Sequence, residues 1–174
     1  MTESIAEISK NQKIIFNNEF IDKIIVDIEA ANNLEIKSSL KDLHAADIAE
    51  LLEFLSTNQR TYLLNQLDSE DYTDVLAELD DSIIDQTVNS LQHEKVAKSI
   101  SDMETDDAVG LIESLEPDTQ KKILDKVSAE DREIFNESLN YPEDTAGRRM
   151  QKEIVSMPSF WTVGQAIDYL RDEE

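Results

Sequence analysis

The sequence predicts an all-α fold in which short helical hairpins stack into a superhelix. Two observations predict it: apolar residues recur at spacings of three and four through most of the 174 residues, and an apolar-and-acidic pattern repeats in units of about 12 residues. Prolines occur only at positions 117, 142 and 158, so few places in the chain resist a helix. The hydrophobic content of 40% is enough for the packed core of one domain of ordinary size.

The first helix is predicted over residues 14–28, where apolar side chains trace one face. Their spacing is that of an amphipathic helix. They are Ile14, Phe16, Phe20, Ile21, Ile24, Ile25 and Ile28. Residues 1–40 are therefore expected to form an N-terminal helical segment, with residues 1–12 frayed.

From residue 43 onward a repeat runs through the chain, in which an apolar residue is followed four positions later by Asp and then by further apolar residues. The segments that carry it are Leu43/Asp47, Leu67/Asp71, Met103/Asp107 and Val127/Asp131, with Leu91/Lys95 in the widest interval. All intervals between these aspartates are multiples of 12 residues. Two such units make a hairpin of about 24 residues, which cannot bury its apolar face alone and must stack on its neighbours. Residues 41–140 are therefore predicted to be an acidic helical-repeat superhelix.

Helix starts within this repeat are predicted from polar residues. Ser56 followed by Gln59 has the capping-box pattern, in which two side chains satisfy backbone N–H groups reciprocally. Ser69, Thr105 and Ser128 each stand before acidic residues that complement the positive end of a helix. These residues predict where four of the helices begin.

The character of the chain changes at a segment that begins with Tyr141 and contains Gly147. Residues 154–157 then form a short apolar run before a proline, which predicts a strand. A helix capped by Thr162 is expected next, with its apolar residues turned inward: Val163, Ala166, Ile167 and Leu170. Residues 141–174 are therefore predicted to be a linker and the start of a new unit that is cut short at the last residue.

Charge and composition exclude several classes of function. With 39 acidic and 16 basic residues the formal net charge is -23, which repels nucleic acids and anionic membranes and attracts cations or basic partners. Cysteine is absent, so disulfides, thiolate nucleophiles and cysteine-ligated zinc are excluded, and a reducing compartment such as the cytosol is expected. No apolar run reaches the roughly 18 residues that a membrane span needs, so we expect this part of the protein to be soluble and not to insert into a membrane.

Catalytic patterns are missing from the sequence. The three glycines are too far apart for a phosphate-cradling loop, and His44 and His93 lack a metal-ligand spacing and a neighbouring serine nucleophile. We interpret both histidines as surface or helix-start residues. Carboxylate pairs are so common in this chain that their spacing does not indicate a general acid and base. We therefore expect no enzyme.

Acidic residues concentrate in two stretches that lack Lys and Arg, residues 61–94 and 99–120. They are Asp68, Glu70, Asp71, Asp74, Glu78, Asp80, Asp81, Asp85 and Glu94 in the first, and Asp102, Glu104, Asp106, Asp107, Glu113, Glu116 and Asp118 in the second. Hard divalent cations prefer carboxylate oxygens, and Mg²⁺ uses one or two of them while keeping several waters. A magnesium site shared between two surfaces is one interpretation, and a solvated face with acids at helix starts is the other.

One apparent calcium motif is rejected. Four acids fall at positions 1, 3, 5 and 12 of an EF-hand loop: Asp102, Glu104, Asp106 and Glu113. The sixth position is Asp107, whereas the sharp turn of that loop requires glycine. The same residues fit the helical repeat, so we expect a helix here.

The acidic helical repeats, together with the segment Tyr141-Pro-Glu-Asp-Thr-Ala-Gly-Arg-Arg-Met150, resemble the MgtE family of magnesium transporters. The cytosolic N domain of that family ends at a similar Y-x-E-D-x-A-G-x-L-M stretch, in which Arg149 here replaces an aliphatic residue. Residues 154–158 and 161–171 look like the first strand and helix of the CBS domain that comes next in the family. The resemblance covers roughly residues 40–171 and implies a right-handed superhelix of short helical hairpins, followed by a truncated CBS domain.

The resemblance also implies a set of magnesium ligands. Family members bind Mg²⁺ between acidic surfaces of the N domain and the CBS domains, and an Asp-Asp-x-x-Asp stretch of the N domain supplies ligands. The matching stretch is Asp106-Asp107-Ala-Val-Gly110, so Asp106 is carried over, whereas Gly110 stands where the family has an acid. Asp107 and Glu113 are the candidates to replace that acid. Arg148 is expected to contribute at most a backbone carbonyl.

The function implied by the resemblance is that of a magnesium-sensing regulatory domain at the cytoplasmic face of the cell membrane. Its partners are then the CBS domains and the membrane pore domain of the same protein, which is a homodimer. Acidic surfaces repel one another when bare and dock when Mg²⁺ lies between them, which closes the pore. We expect weak Mg²⁺ binding by this chain alone. The alternative is a helical-repeat scaffold for protein–protein interaction without ion sensing.

Overall fold

A computed structural model describes residues 16–152 and 155–172, without the side chain of residue 172. Within these residues the chain forms eleven α-helices and a short 3-10 helix, with no strand, so the predicted all-α fold is confirmed. The helices are α1 (Asn18–Glu29), α2 (Asn33–Leu40), α3 (Ala45–Glu53), α4 (Thr57–Leu64), α5 (Ser69–Ala77), α6 (Asp81–Ser90), α7 (His93–Asp102), α8 (Thr105–Glu113), α9 (Pro117–Leu124), α10 (Ala129–Leu139) and α11 (Val163–Asp172), with the 3-10 helix Ala146–Arg149 before α11. None of the described helices is long and apolar enough to cross a membrane.

Eight consecutive helices, α3 to α10, begin at a strict interval of 12 residues. Their first residues are 45, 57, 69, 81, 93, 105, 117 and 129. Two positions before each start lies an apolar residue that is buried or packs against the core, from Leu43 and Leu55 to Leu115 and Val127. An apolar residue just before the N-cap packs on the first turns of its helix and fixes the angle at which the chain enters it. The repeating unit is therefore one helix plus one turn.

Most helices of the repeat pack on the second helix after them, as in the pairs α3/α5, α4/α6, α5/α7, α7/α9 and α8/α10, and α5 also packs on α8. This is the contact pattern of stacked short hairpins, in which each hairpin covers the apolar face of the next. A single core of aliphatic side chains runs through the whole stack. It extends into the N-terminal pair α1 and α2, where Ile24 and Ile36 are fully buried.

The first helix confirms the predicted apolar stripe. Helix α1 begins after Asn17, whose side chain accepts the backbone N–H of Phe20 at 2.8 Å. Ile24 and Ile28 are buried, and the other residues of the predicted stripe from position 16 onward pack against the core. The earlier part of the predicted stripe, and the segment expected to fray, lie within residues 1–15, outside the described residues.

The predicted helix starts are confirmed, with one refinement. Ser56 and Gln59 form a capping box at the start of α4, and Ser128 is the N-cap of α10. Ser69 and Thr105 are the first helical residues of α5 and α8 and not their N-caps. The acidic residue immediately before each of them holds the N-cap position. Asp68 accepts a backbone N–H there, whereas the Glu104 side chain makes no capping hydrogen bond.

The strand predicted at residues 154–157 is not found in the described part of the chain. Residues 155–157 are irregular, and residues 153 and 154 lie outside the described residues. A strand needs a second strand to pair its backbone N–H and C=O groups. The described residues contain no such partner, so the apolar run alone does not make a strand.

Thr162 caps helix α11, as predicted. The Thr162 hydroxyl accepts the N–H of Gln165 at 3.3 Å, while the Gln165 side chain accepts the N–H of Thr162 at 2.9 Å. Three of the four apolar residues that we expected to face inward are exposed instead, since Val163 is 77% exposed and Ile167 and Leu170 are 43% exposed, whereas Ala166 is half-buried. Nothing in the described chain buries this apolar face.

Candidate metal site

Helix α8 begins with three acidic residues whose carboxylates converge. Glu104 is the N-cap, and Asp106 and Asp107 follow in the first helical turn. One oxygen from each of the three carboxylates lies within 4.8 Å of the others. Acidic residues are favourable at a helix start because the backbone N–H groups there are unpaired and the end of the helix dipole is positive. The repeat thereby holds three carboxylates at one point of the surface.

The surroundings of these carboxylates differ. Asp106 is partly buried, and its Oδ1 atom is closed to solvent and has no hydrogen-bond partner. The pKa of the Asp107 carboxyl is raised above its ordinary value, mainly by partial burial and to a smaller extent by repulsion from Asp106. Glu104 is exposed and accepts a hydrogen bond from Gln151 Nε2. A bound cation would give the unpartnered Asp106 oxygen a partner and would offset the repulsion between Asp106 and Asp107.

This donor set fits Mg²⁺ that keeps part of its water shell. Opposite ligands of an octahedral Mg²⁺ ion lie about 4.2 Å apart, because each Mg–O distance is about 2.1 Å. Carboxylate oxygens within 4.8 Å of one another lie close enough to share one such ion, directly or through its water molecules. One or two carboxylates bound directly, with the rest reached through water, is the usual form of a protein Mg²⁺ site. Asp106, with its unpartnered oxygen, is the best placed direct ligand.

The structure brings together two of the three ligands predicted from the sequence. Asp106 and Asp107 belong to the group, whereas Glu113 lies seven residues after Asp106, about 10 Å along the helix axis. Glu113 Oε1 binds Arg148 Nε, and its Oε2 lies 3.8 Å from Arg149 Nη1. Both oxygens of Glu113 already face arginines, so the geometry favours Glu104 as the third member of the group.

The sequence does contain a signal for Glu104, which sequence reasoning missed as a ligand. It occupies the N-cap position of the 12-residue repeat, where side chains turn back over the first turn of their helix. Asp68 and Asp80 occupy the same position and accept backbone N–H groups at 3.0 and 2.9 Å. The Glu104 side chain makes no such capping hydrogen bond and lies beside Asp106 and Asp107 instead.

Other acids of the two stretches hold the repeat together. Asp81 accepts a hydrogen bond from Ser114 Oγ at 2.6 Å, and Asp85 accepts the backbone N–H of Glu116 at 3.0 Å. These two carboxylates of α6 therefore fix the turn between α8 and α9. Hydrogen bonds within the repeat explain these members of the acidic stretches. The helix dipole favours the acids at the start of α8, but the buried Asp106 Oδ1 atom has no hydrogen-bond partner there.

Two further interpretations of the sequence are confirmed. Residues 105–113 are helical, so the acids that match an EF-hand pattern do not lie on a calcium-binding loop. His44 is the N-cap of α3 and His93 is the first residue of α7, so both are helix-start residues.

Two solved structures that this fold matches come from magnesium transport proteins. A crystal structure of the soluble part of a magnesium transporter matches with a TM-score of 0.75 at 23% identity, over 89% of this chain and 61% of that chain. The crystal structure of the cytosolic domain of the Mg²⁺ channel MgtE in complex with ATP matches with a TM-score of 0.77 at 19% identity, over 87% and 62%. At these identities the matches show the fold, and this chain spans about three fifths of either structure. No curated protein matches the sequence significantly.

The sequence itself establishes the family. The family model of the MgtE intracellular N domain matches residues 43–144. This range contains all eight helices of the 12-residue repeat, from α3 to α10, together with the acidic group at the start of α8. Since the match covers more than half of the 174 residues, the chain belongs to the MgtE intracellular N domain family.

Proposed function

We propose that this chain is a magnesium-sensing regulatory domain of an MgtE-type magnesium transporter or channel, at the cytoplasmic face of the cell membrane. Mg²⁺ is its regulatory ligand, and Glu104, Asp106 and Asp107 form this domain's side of the site. Its partners are the CBS domains and the membrane pore domain of the same protein, which acts as a homodimer. The family match and the two similar magnesium transport structures support this role.

The observation that carries the proposal is the convergence of the three carboxylates at the start of α8. When bare they repel one another, and one oxygen of Asp106 is buried without a partner. Two unit charges about 5 Å apart interact by about 0.8 kcal/mol in bulk water and by about 3.3 kcal/mol at an effective dielectric of 20. A divalent cation replaces this repulsion by attraction, so the site responds to the concentration of Mg²⁺.

A second acidic surface completes the site in this proposal. Mg²⁺ bound at α8 retains coordination positions that water fills, and carboxylates of a neighbouring domain take over some of them. Docking of the two surfaces is then favoured at high cytosolic Mg²⁺ and disfavoured at low Mg²⁺, because the ions remove the repulsion between them. Docking closes the pore, and falling Mg²⁺ opens it. Binding to this chain alone is weak, because it supplies only part of the ligands.

Titration of the ¹⁵N-labelled chain with MgCl₂, followed by NMR, tests the site directly. We expect the backbone amides of residues 104–108 to shift most. Asp106→Asn is expected to weaken Mg²⁺ binding by about tenfold or more, because one negative charge beside a divalent ion is removed.

Asp118→Asn is the matched control for Asp106→Asn. Asp118 is the second residue of α9, as Asp106 is of α8, so it holds the equivalent place in the repeat, and it is exposed. Equal losses of affinity in the two variants, or shifts spread evenly over the acidic stretches, contradict the proposed site and make Mg²⁺ a diffuse counter-ion. Complete absence of Mg²⁺ binding favours the helical-repeat scaffold.

The gating step is tested in the intact transporter. Asp106→Asn is expected to raise the cytosolic Mg²⁺ concentration at which transport stops, because more Mg²⁺ is needed for docking. Uptake into vesicles loaded with a Mg²⁺ indicator at a series of internal Mg²⁺ concentrations measures this shift. An unchanged threshold in a correctly folded Asp106→Asn transporter contradicts gating through this site.

A further inference from the structure

The chain that follows α10 turns back along α8. Residues 146–152, here named the junction segment, begin with the 3-10 helix. Arg148 contacts Glu113, the last residue of α8, and Gln151 contacts Glu104, the residue just before its first. The junction segment therefore runs antiparallel to α8 from one end of the helix to the other.

Arg148 is the buried centre of these contacts. Its side chain is only 9% exposed, and its Nε atom binds Glu113 Oε1. Its Nη1 atom faces three backbone carbonyls at and just after the end of α10. They are those of Ser138 at 3.3 Å, of Leu139, and of Tyr141 at 3.1 Å. The last carbonyls of a helix have no partner within it, and a cation stabilises them by hydrogen bonding and through the helix dipole.

A guanidinium suits this position better than any other side chain. It is planar and always charged, and it carries five N–H donors in fixed directions. Here its Nε atom donates a hydrogen bond to Glu113 of α8, and its Nη1 atom donates one to the carbonyl of Tyr141 just after α10. A buried cation without partners is costly, so this arrangement is stable only while both helices present their acceptors. Arg148 thereby joins α8, α10 and the junction segment.

Arg149 gives the contrast. Its side chain is 66% exposed, and its Nη1 atom lies 3.8 Å from Glu113 Oε2. Exposed ion pairs at such distances contribute little to stability. The two arginines have the same charge and adjacent places in the sequence but different burial, so they form a matched pair for experiment.

We infer that Arg148 is a positioning residue that couples the acidic helix α8 to the chain leading into α11. A displacement of α8 moves Glu113, and the buried ion pair passes this movement to the junction segment. The contact between Gln151 and Glu104 lies at the surface, so Arg148 carries the coupling. The regulatory meaning of the coupling rests on the proposed function, whereas the coupling itself does not.

Hydrogen–deuterium exchange of the full chain, read by mass spectrometry, tests this coupling. In Arg148→Gln the amides of residues 141–152, which include the junction segment, are expected to exchange about tenfold faster than in the unchanged protein or more. The reason is that the charged hydrogen bonds that hold the junction segment against α8 and α10 are lost. Exchange in α4 to α6 is expected to stay within about threefold. Equal exchange of the junction segment in both proteins, or uniform acceleration in all helices, overturns the inference.

Arg149→Gln is the control, and it is expected to change exchange of the same peptide by less than about threefold. Glu113→Gln decides the question if Arg148→Gln does not fold, since it keeps the arginine and removes only the charge of its partner on α8. We expect exchange of residues 141–152 to rise by about three- to tenfold in this variant. An unchanged rate there overturns the inference.

Added MgCl₂ separates coupling from a purely structural role. In the unchanged protein Mg²⁺ is expected to slow exchange both at the start of α8 and in the junction segment, whereas in Arg148→Gln it slows exchange at the start of α8 only. Protection of the junction segment by Mg²⁺ that survives in Arg148→Gln overturns the coupling. If Mg²⁺ binds to neither protein, the proposed function fails, and the exchange measured without metal still decides the inference.

Discussion

Tyr141 and Gly147 pack so closely that a side chain at position 147 has no room. A Cβ atom added to Gly147 would lie 2.7 Å from Cδ1 and 3.0 Å from Cε1 of the Tyr141 ring. The backbone of Tyr141 is held in place, because its carbonyl accepts a hydrogen bond from Arg148. The tyrosine, glycine and arginine of this part of the chain therefore form one packing unit at the end of the helical repeat.

Gly147→Ala is expected to destabilise this unit by about 1–3 kcal/mol, because either the tyrosine ring or the 3-10 helix must move to admit the methyl group. A lower melting temperature in circular dichroism, with faster amide exchange confined to residues 141–152, is the expected result. An unchanged melting temperature would contradict the close packing.

Gly110→Ala is the matched control, and it is expected to change the stability in the opposite direction. Gly110 lies inside α8, and a Cβ atom added there meets nothing within 4 Å. Alanine loses less conformational freedom than glycine in a helix, so this variant is expected to be about 0.5–1 kcal/mol more stable. Loss of stability in both glycine variants would contradict the contrast between a crowded and an open position.

Tyr72 is fully buried in α5, and its hydroxyl has no hydrogen-bond partner. Because burial of an unpaired hydroxyl costs about 1–3 kcal/mol, Tyr72→Phe is expected to stabilise the protein by about 1 kcal/mol. The Lys95 ammonium, 3.6 Å from the ring centroid, keeps an aromatic partner in the variant. Urea unfolding at neutral pH measures the difference.

Tyr62→Phe removes a hydroxyl that does have a partner. Tyr62 Oη donates to Asn33 Oδ1 at 2.7 Å and so joins α4 to α2. This control is expected to lose about 1 kcal/mol of stability, because a net favourable hydrogen bond is broken. A loss of stability in Tyr72→Phe as well would show that the Tyr72 hydroxyl is paired.

Alkaline pH tests the burial of Tyr72 in a second way. Burial raises the pKa of Tyr72 to about 12, whereas an unfolded tyrosine ionises near about pH 10. Between these values the folded protein holds a proton that the unfolded chain has lost, so stability falls as the pH rises, by about 2–3 kcal/mol in total from this residue. The stability advantage of Tyr72→Phe over the unchanged protein should therefore widen over this range. A constant difference would contradict the raised pKa.

The helical repeat is predictable from sequence because its period is carried by residues that do the same packing in every unit. Leu55, Leu79 and Leu115 each stand two positions before a helix and are buried. The face of α11 is predictable only in part. A 3.6-residue pattern shows that Val163 and Ile167 share one face, but whether that face is covered depends on segments far away in the chain.

The membership of the acidic site is less predictable, because the contact that removes Glu113 from it is not local. Spacing along a helix places residues on one face but says nothing about what lies opposite. Glu113 is on the helix that carries Asp106, yet its partner Arg148 is 35 residues away and reaches it only because the chain turns back after α10. Glu104 is a local neighbour, and its place in the repeat is the signal that was present in the sequence.

Position 110 offers a gain-of-function test of the magnesium site. It lies four residues after Asp106, which is one helical turn on the same face. The space beside Gly110 is open, since an added Cβ atom meets nothing within 4 Å. A divalent ion and a unit charge about 6 Å apart attract by about 1.4 kcal/mol in water, which is about tenfold in affinity.

Gly110→Asp is therefore expected to tighten Mg²⁺ binding by about tenfold in calorimetric titration. Gly110→Asn is the matched control, since it has the same shape and removes the same glycine but adds no charge, and its Mg²⁺ affinity should stay close to that of the unchanged protein. Asp106→Asn combined with Gly110→Asp should lose most of the gain, because the new carboxylate then lacks the ligand with which it shares the ion. Equal affinity in Gly110→Asp and Gly110→Asn would contradict a metal site at the start of α8, because an added charge one turn from a real site must be felt by the ion.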